Sequence, residues 1–459
     1  MKLSHTLAAT SAVFDEPSLV SAAGLIPALG LAEAAGLQRL AQQHLSVPTD
    51  KGANAGLKVA SLVAGMVAGA DSIDDMRLLR HGGMGRVFAA AYAPSTLGSF
   101  LRAFTFGHVR QLDAVAARFL ARLADRAPIV PVTPAGPVLI DVDDTVVEVH
   151  GYAKQGAGFG YTKVRGLNAL LATVTTPTSA PLVVAQRLRK GSCGSPRGAK
   201  RLVTDAAAQV RRLQPHCRPL LRADSAFYGR PTIWAAVLGG CDVSVTVRQD
   251  ATVKAAIGRI PEQAWITIEY PDAVFDEPSG RWISRAEVAE TNFTAFASAK
   301  PADQVPGRLV VRRIPELNPT GQDGLFDLWR FHAFFTTSDL DTVTADKTHR
   351  GHAIIEQVHA DLKNSALAHL PSGRFTANAA WLVLAVIAFN LTRVAAILSG
   401  PSLAKATTGT IRRTLIGVPA RIATSARRLT FHLPLAWPWQ SAWTRLFHSA
   451  CGPPAAPTP

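Results

Sequence analysis

Cysteine is scarce: the 459-residue chain holds four, Cys193, Cys217, Cys241 and Cys451, and no two form a C-x-x-C pair. That excludes a disulfide framework and a cysteine zinc site, and it fits a reducing compartment. Long hydrophobic runs are also missing. Leu57 to Ala70 is interrupted by Lys58, and Ala379 to Phe389 is eleven apolar residues between Asn378 and Asn390. A spanning helix needs about 20, so both are expected to be buried helices of a protein that does not enter a membrane. Met1 to Pro17 has neither the basic start nor the apolar core of a secretory signal. The expected location is therefore cytoplasmic.

Acid is the third shortage. Asp and Glu number 33 against 48 Lys and Arg, a net charge of +15. After Asp361 the last 98 residues carry no carboxylate and ten Lys or Arg, and Gln186 to Arg222 holds ten more against Asp205 alone. Blocks of one sign point to a polyanion, and nucleic acid is the expected partner. With 48% hydrophobic and only 18% charged residues, the chain has enough apolar surface for a sizeable core and for two or three domains.

The texture changes along the chain. Residues 1–128 read as helical, Ala- and Leu-rich with breaks at Pro27, Pro48, Gly82-Gly83 and Pro94, and are expected to form a helical N-terminal DNA-binding domain. The helix expected after Pro94 could read DNA or form one turn of a bundle. Pro128, Pro131, Pro134 and Pro137 mark a linker. In 129–250, β-rich runs at Val138–Asp143, Leu167–Val174, Pro181–Leu188, Pro219–Asp224 and Val243–Val247 alternate with helical spacing at Gly198–Leu213 and Pro231–Leu238. That order predicts an α/β class with a mixed sheet. Residues 251–340 read as a β-rich insertion, 341–400 as returning helices, and 401–459 as a basic tail with a Pro/Ala-rich end from Pro453.

Chemistry gathers at carboxylates. Asp141 and Asp143 lie two apart in a strand and share a face, with Asp144 on the other. Acids among Val and Ile are costly to bury unless a divalent cation or a basic partner such as Arg222 neutralises them. Asp224 ends a second apolar strand, and Glu356 sits in His349-Arg350-Gly-His352-Ala-Ile-Ile-Glu356-Gln-Val-His359-Ala-Asp361-Leu-Lys363. On one continuous helix, His349, His352, Glu356, His359 or Ala360, and Lys363 would share a face. The residues alone leave Asp141, Asp143 and Asp144 as alternatives for the first acid.

Several stretches resemble DDE-type transposases of bacterial insertion sequences, of the actinobacterial type, almost end to end. Asp143-Asp-Thr145 resembles the first-acid strand, Gly160-Tyr161-Thr-Lys163 the segment after it, and Arg189-Lys190-Gly191 the loop before the next helix. Arg222-Ala-Asp224-Ser225 resembles the second-acid strand, and Glu356 with Lys363 matches the last acid and its partner. The 131 residues between Asp224 and Glu356 leave room for the family's β-strand insertion. Where the family writes Tyr and Arg before the last acid, this chain has His349 and His352.

The resemblance implies an RNase H-like catalytic core and selects Asp143, Asp224 and Glu356 as catalytic and metal-binding acids for two Mg²⁺ or Mn²⁺ ions. It implies cleavage and strand transfer at element ends, with double-stranded DNA as partner and a homodimer assembled on it at the nucleoid. Lys363, Arg350, His352, His349, Lys163, Arg189, Lys190, Arg412 and Arg413 are the expected DNA contacts. The alternative expectation is a non-catalytic regulatory DNA-binding protein.

Overall fold

In the computed structural model the described residues are 1, 4–48, 50–89, 91–130, 136–276, 280–315, 329–425 and 428–452. Pro131 and Pro134 of the expected linker and the tail from Pro453 lie outside them.

A short strand β1 (Leu19–Val20) opens the chain, followed by α1 (Leu25–Ala34), α2 (Leu37–His44), α3 (Ala55–Ala68), α4 (Met84–Val87), α5 (Pro94–Arg102) and α6 (Phe106–Ala124). Local chemistry sets the ends. Pro94 takes the first turn of α5, where its missing N–H is not needed. Thr105 and His108 cap α6 reciprocally. The face of α5 carrying Leu97, Phe100 and Leu101 is buried.

The sheet then begins with β2 (Leu139–Glu148), β3 (Gly158–Phe159), β4 (Arg165–Thr176) and β5 (Ser179–Lys190). After α7 (Ala199–Leu213) come β6 (Leu220–Ala223), α8 (Arg230–Leu238) and β7 (Asp242–Thr246). Strand β2 is antiparallel to β4, β4 to β5, and β6 and β7 run parallel to β2. The order β5-β4-β2-β6-β7 is the RNase H-like mixed sheet that was expected. Parallel β6 and β7 need a crossover, and α8 supplies it.

The insertion starts with a short helix α9 (Ala251–Ile257) and continues as β8 (Ile266–Asp276), β9 (Arg281–Ala295), β10 (Val305–Pro315) and β11 (Trp329–Thr336). Its strands extend the core sheet. Phe334–Thr336 of β11 pairs antiparallel with Ser244–Thr246 of β7, so among the described residues ten strands form one sheet.

Helices return with α10 (Thr342–Arg350), a 3₁₀ turn at Gly351–Ala353, α11 (Ile354–Lys363) and α12 (Phe375–Ser399). Helix α12 is long and apolar enough to cross a membrane by length and composition. Here it is the central core element, buried almost throughout and packed against α3, α5, α6 and β5. One hydrophobic cluster runs from Val20 through the sheet to Ile422.

Residues 401–452, expected as a tail, are folded. They form α13 (Thr408–Ile411) with a π-helical turn to Ile416, then β12 (Ala420–Ser425), β13 (Arg428–His432) and α14 (Gln440–Cys451). Strand β12 pairs with β1, and α14 packs on α1 and α12. Trp443 is buried in a cluster with Leu403, Ile411, Leu415 and Leu446, and Trp437 donates from Nε1 to the Thr414 carbonyl at 3.1 Å. Ile416, Ala420 and Ile422 of this basic segment join the main core and its leucines pack on α12, so its missing acids do not signal a loose chain.

Candidate active site

Strand β2 has Ile140 and Val142 fully buried, which fixes Asp141 and Asp143 on one face and Asp144 on the other. The parallel register aligns Asp141 with Arg222 and Val142 with Ala223. The next step along both strands brings Asp143 beside Asp224, where β6 ends.

Asp141 is a structural acid. It is 0% exposed, and the buried guanidinium of Arg222 donates to both its oxygens, Nε to Oδ1 at 2.7 Å and Nη2 to Oδ2 at 2.8 Å. His352 Nδ1 also lies 3.0 Å from Oδ1, and the Thr175 hydroxyl donates to Oδ2 at 3.2 Å. Asp144 is neutralised on the opposite face by Arg189 Nη2 at 2.5 Å and by the Asn168 amide. Arg189 also donates to the carbonyls of Ser195 and Arg197, tying down the loop after β5. Gly191 belongs to that loop, and a Cβ there would sit 2.0 Å from the Gly166 carbonyl oxygen.

Asp143 and Asp224 differ from both neighbours. Neither pairs with Lys or Arg among the described residues. Asp143 is 24% exposed, its Oδ1 accepts the Asp144 N–H at 2.7 Å, and His359 Nε2 stands 3.5 Å from its Oδ2. Asp224 caps the short 3₁₀ turn after β6, accepting from Ala226 N–H at 2.9 Å. It opens to solvent on one side. Protein packed behind it pushes its carboxyl above the ordinary value, and the charge of Asp143 adds to the rise. Tyr161, exposed in the turn before β4, lies within electrostatic reach of the acids. Burial raises its phenol first, and the charges of Asp144, Asp143 and Asp224 raise it further.

Glu356 lies on α11, exposed to solvent and without a hydrogen bond or ion pair among the described residues. It is one helical turn before His359, the residue that reaches Asp143. The structure thus brings two of the three expected acids side by side and holds the third on the neighbouring helix. Among the described residues no group of three His, Cys, Asp or Glu side chains converges closely enough to hold one ion.

The single helical face expected for His349 to Lys363 is not formed, because the helix is interrupted. Arg222 Nη1 donates to the Thr348 carbonyl, the acceptor an α-helix would offer to the residue four further on. The backbone tightens to a 3₁₀ turn at Gly351, where a Cβ would stand 2.8 Å from that same guanidinium nitrogen. His349 therefore faces the sheet. Its ring stacks on Phe334 at 4.0 Å, with Ser244 Oγ 2.8 Å from Nδ1 and Thr246 Oγ1 3.0 Å from Nε2. Burial drives its pKa down to about 3, so the ring is neutral at pH 7.

The expected DNA contacts separate by environment. Lys163, Lys190 and Arg413 are exposed, and Lys163 sits at a positive φ of 55° in the turn before β4. Lys363 is half-buried, and burial lowers its pKa. Arg350 pairs with Asp346 at 2.8 Å and lies over the Tyr270 ring at 4.8 Å. Arg412 is half-buried next to Gly69, and desolvation lowers its pKa. Arg189, His349 and His352 are committed to partners inside the protein.

A family model described as transposase DDE domain, group 1, matches residues 8–450. No curated protein shows a significant match to the chain.

Proposed function

Because the chain belongs to the group 1 transposase DDE domain family, we propose that it cuts DNA at the ends of a mobile element and joins them to a target, using Asp143, Asp224 and Glu356. The observation that carries this reading is the proximity of Asp143, in the middle of β2, to Asp224, just past the end of β6, with no Lys or Arg paired to either among the described residues. Two neighbouring carboxylates left without a cation fit a hard divalent ion, which takes oxygen ligands. Asp141 and Asp144, each held by an arginine, do not.

When bound, a pair of Mg²⁺ or Mn²⁺ ions supplies activation of the attacking oxygen and stabilisation of charge on the leaving one. The protein's own groups set the geometry. The Asp144 amide orients Asp143, and the Ala226 amide orients Asp224. Glu356 joins them from α11 by a side-chain swing, since its carboxylate has no partner among the described residues. A phosphodiester at the element end is hydrolysed, its P–O3′ bond breaking to leave a 3′-hydroxyl. That hydroxyl then attacks a target phosphorus, forming a new P–O3′ bond and expelling the target 3′-oxygen. Lys163, Lys190, Lys363 and Arg413 contact phosphates, which fixes register and not sequence. The working form is a dimer on two DNA ends.

The test uses labelled DNA carrying the element ends with Mg²⁺ or Mn²⁺, comparing the intact chain with Asp143→Asn, Asp224→Asn and Glu356→Gln. Cleavage and joining by the parent, lost in each variant while DNA binding persists, support the reading. Variants that cut like the parent overturn the site, and a parent that binds DNA without cutting it points to a regulatory protein.

A further inference from the structure

His359 has no role in the account above, and its surroundings are unusual for a buried histidine. Its side chain is 7% exposed, and neither ring nitrogen has a hydrogen-bond partner among the described residues. Leaving a buried polar group unpaired is costly, because its bonds to water are lost without replacement. A leucine at this position would fill the same space, next to Val358 and Leu362, without that cost. The ring stands instead with Nε2 at 3.5 Å from Asp143 Oδ2, while the other oxygen of that carboxylate accepts the Asp144 amide at 2.7 Å. The two oxygens are thus approached from different elements, one from β2 itself and one from α11.

We propose that His359 is a positioning residue: its Nε2–H donates to Oδ2 of Asp143 and fixes the plane of that carboxylate for divalent ions. With one lone pair on each oxygen engaged by the amide and the imidazole, each oxygen keeps another for an ion. Hydrogen bonds of this kind are often long without the ligand and shorten when the site is filled. Because His359 and Glu356 share α11 one turn apart, the same contact sets where Glu356 stands relative to Asp143. The inference rests on the metal reading given under Proposed function.

Mn²⁺ binding to the full chain, followed by electron paramagnetic resonance without DNA, separates the two. The set is the parent, Asp143→Asn, His359→Phe, which keeps a planar ring without a donor, and His359→Gln, which keeps a donor. Loss of a hydrogen bond to a metal-binding group costs about 10- to 100-fold in affinity. The expected result is Mn²⁺ affinity weakened at least ~10-fold in His359→Phe and largely restored in His359→Gln. Parent-like affinity in His359→Phe, with Asp143→Asn impaired, overturns the role of His359 and leaves the metal reading standing. A parent that takes up no Mn²⁺ overturns the metal reading and this inference with it. Should His359→Phe fail to fold, the imidazole ¹⁵N shifts of the parent decide. Nε2 must be the protonated nitrogen and must shift on adding Mg²⁺, and unchanged shifts overturn the proposal.

Discussion

Arg222 and Asp141 form a fully buried two-bond ion pair, at 2.7 and 2.8 Å, one side-chain step behind Asp224 and Asp143 on the same two strands. The pair aligns β2 with β6. Through Thr348 and His352 it also fixes the junction from which α11 departs. Breaking a buried pair strands the surviving charge, which typically costs about 3–5 kcal/mol. Arg222→Met is expected to lower unfolding free energy by about that amount in urea titrations. Arg222→Lys should rescue little, because an ammonium cannot serve both oxygens and the Thr348 carbonyl in one plane. A loss below about 1 kcal/mol would sink this account of the brace.

Asp143 should behave in the opposite way. Its charge helps hold the Asp224 carboxyl above the ordinary value. A carboxyl with a raised folded pKa binds more protons folded than unfolded between the two values, so stability falls as pH rises through that window. Asp143→Asn removes part of the repulsion. The variant is expected to be at least as stable as the parent at pH 7 by thermal melting, and to lose cleavage. Strong destabilisation would mean that Asp143, like Asp141, is structural.

Part of this arrangement was legible in the sequence, because strand alternation alone places Asp141 and Asp143 together, while Glu356 was singled out by the family resemblance through its spacing to Lys363. What was not legible depends on pairing across the sheet. No local pattern says that Arg222 meets Asp141 or Arg189 meets Asp144, so the residues alone left three candidates for the first acid, of which Asp143 is the one without an arginine partner among the described residues. The same arginine takes the Thr348 carbonyl and breaks the helix, so the expected single face from His349 to Lys363 does not exist. The insertion and the C-terminal segment were recognised as β-rich and basic. That β11 would extend the core sheet and β12 would pair with β1 is long-range information that periodicity lacks.

His349 gives an acid-sensitivity prediction. Its folded pKa is near 3 against 6.5 for a free imidazole, through burial. The unfolded chain therefore binds more protons between these values, and the contribution is lost as pH falls from about 6.5 towards 3. Asp113, half-buried on α6 against β5, has the reverse sign. Burial outweighs Arg110 and Gln186 and pushes its carboxyl up from 3.8 to about 6, so its part falls as pH rises across that range. His349→Asn should flatten the acid loss, and Asp113→Asn should steepen it. Unfolding curves at pH 4, 5 and 6 separate them, and identical pH profiles for parent and variants would refute both assignments.

Lys190 and Arg189 are sequence neighbours with different surroundings, and DNA binding should tell them apart. Lys190 ends β5 exposed, while Arg189 is buried against Asp144 and the loop carbonyls. A phosphate contact releases counterions, so each one lost reduces the slope of log affinity against log salt by about 0.9. Lys190→Ala is expected to reduce that slope by about one unit with no change in melting temperature. Arg189→Ala should instead lower the melting temperature, since it leaves Asp144 buried without its cation. A salt slope unchanged in Lys190→Ala would remove this residue from the DNA path and shift attention to Lys163 and Arg413, the other exposed cations among the expected contacts.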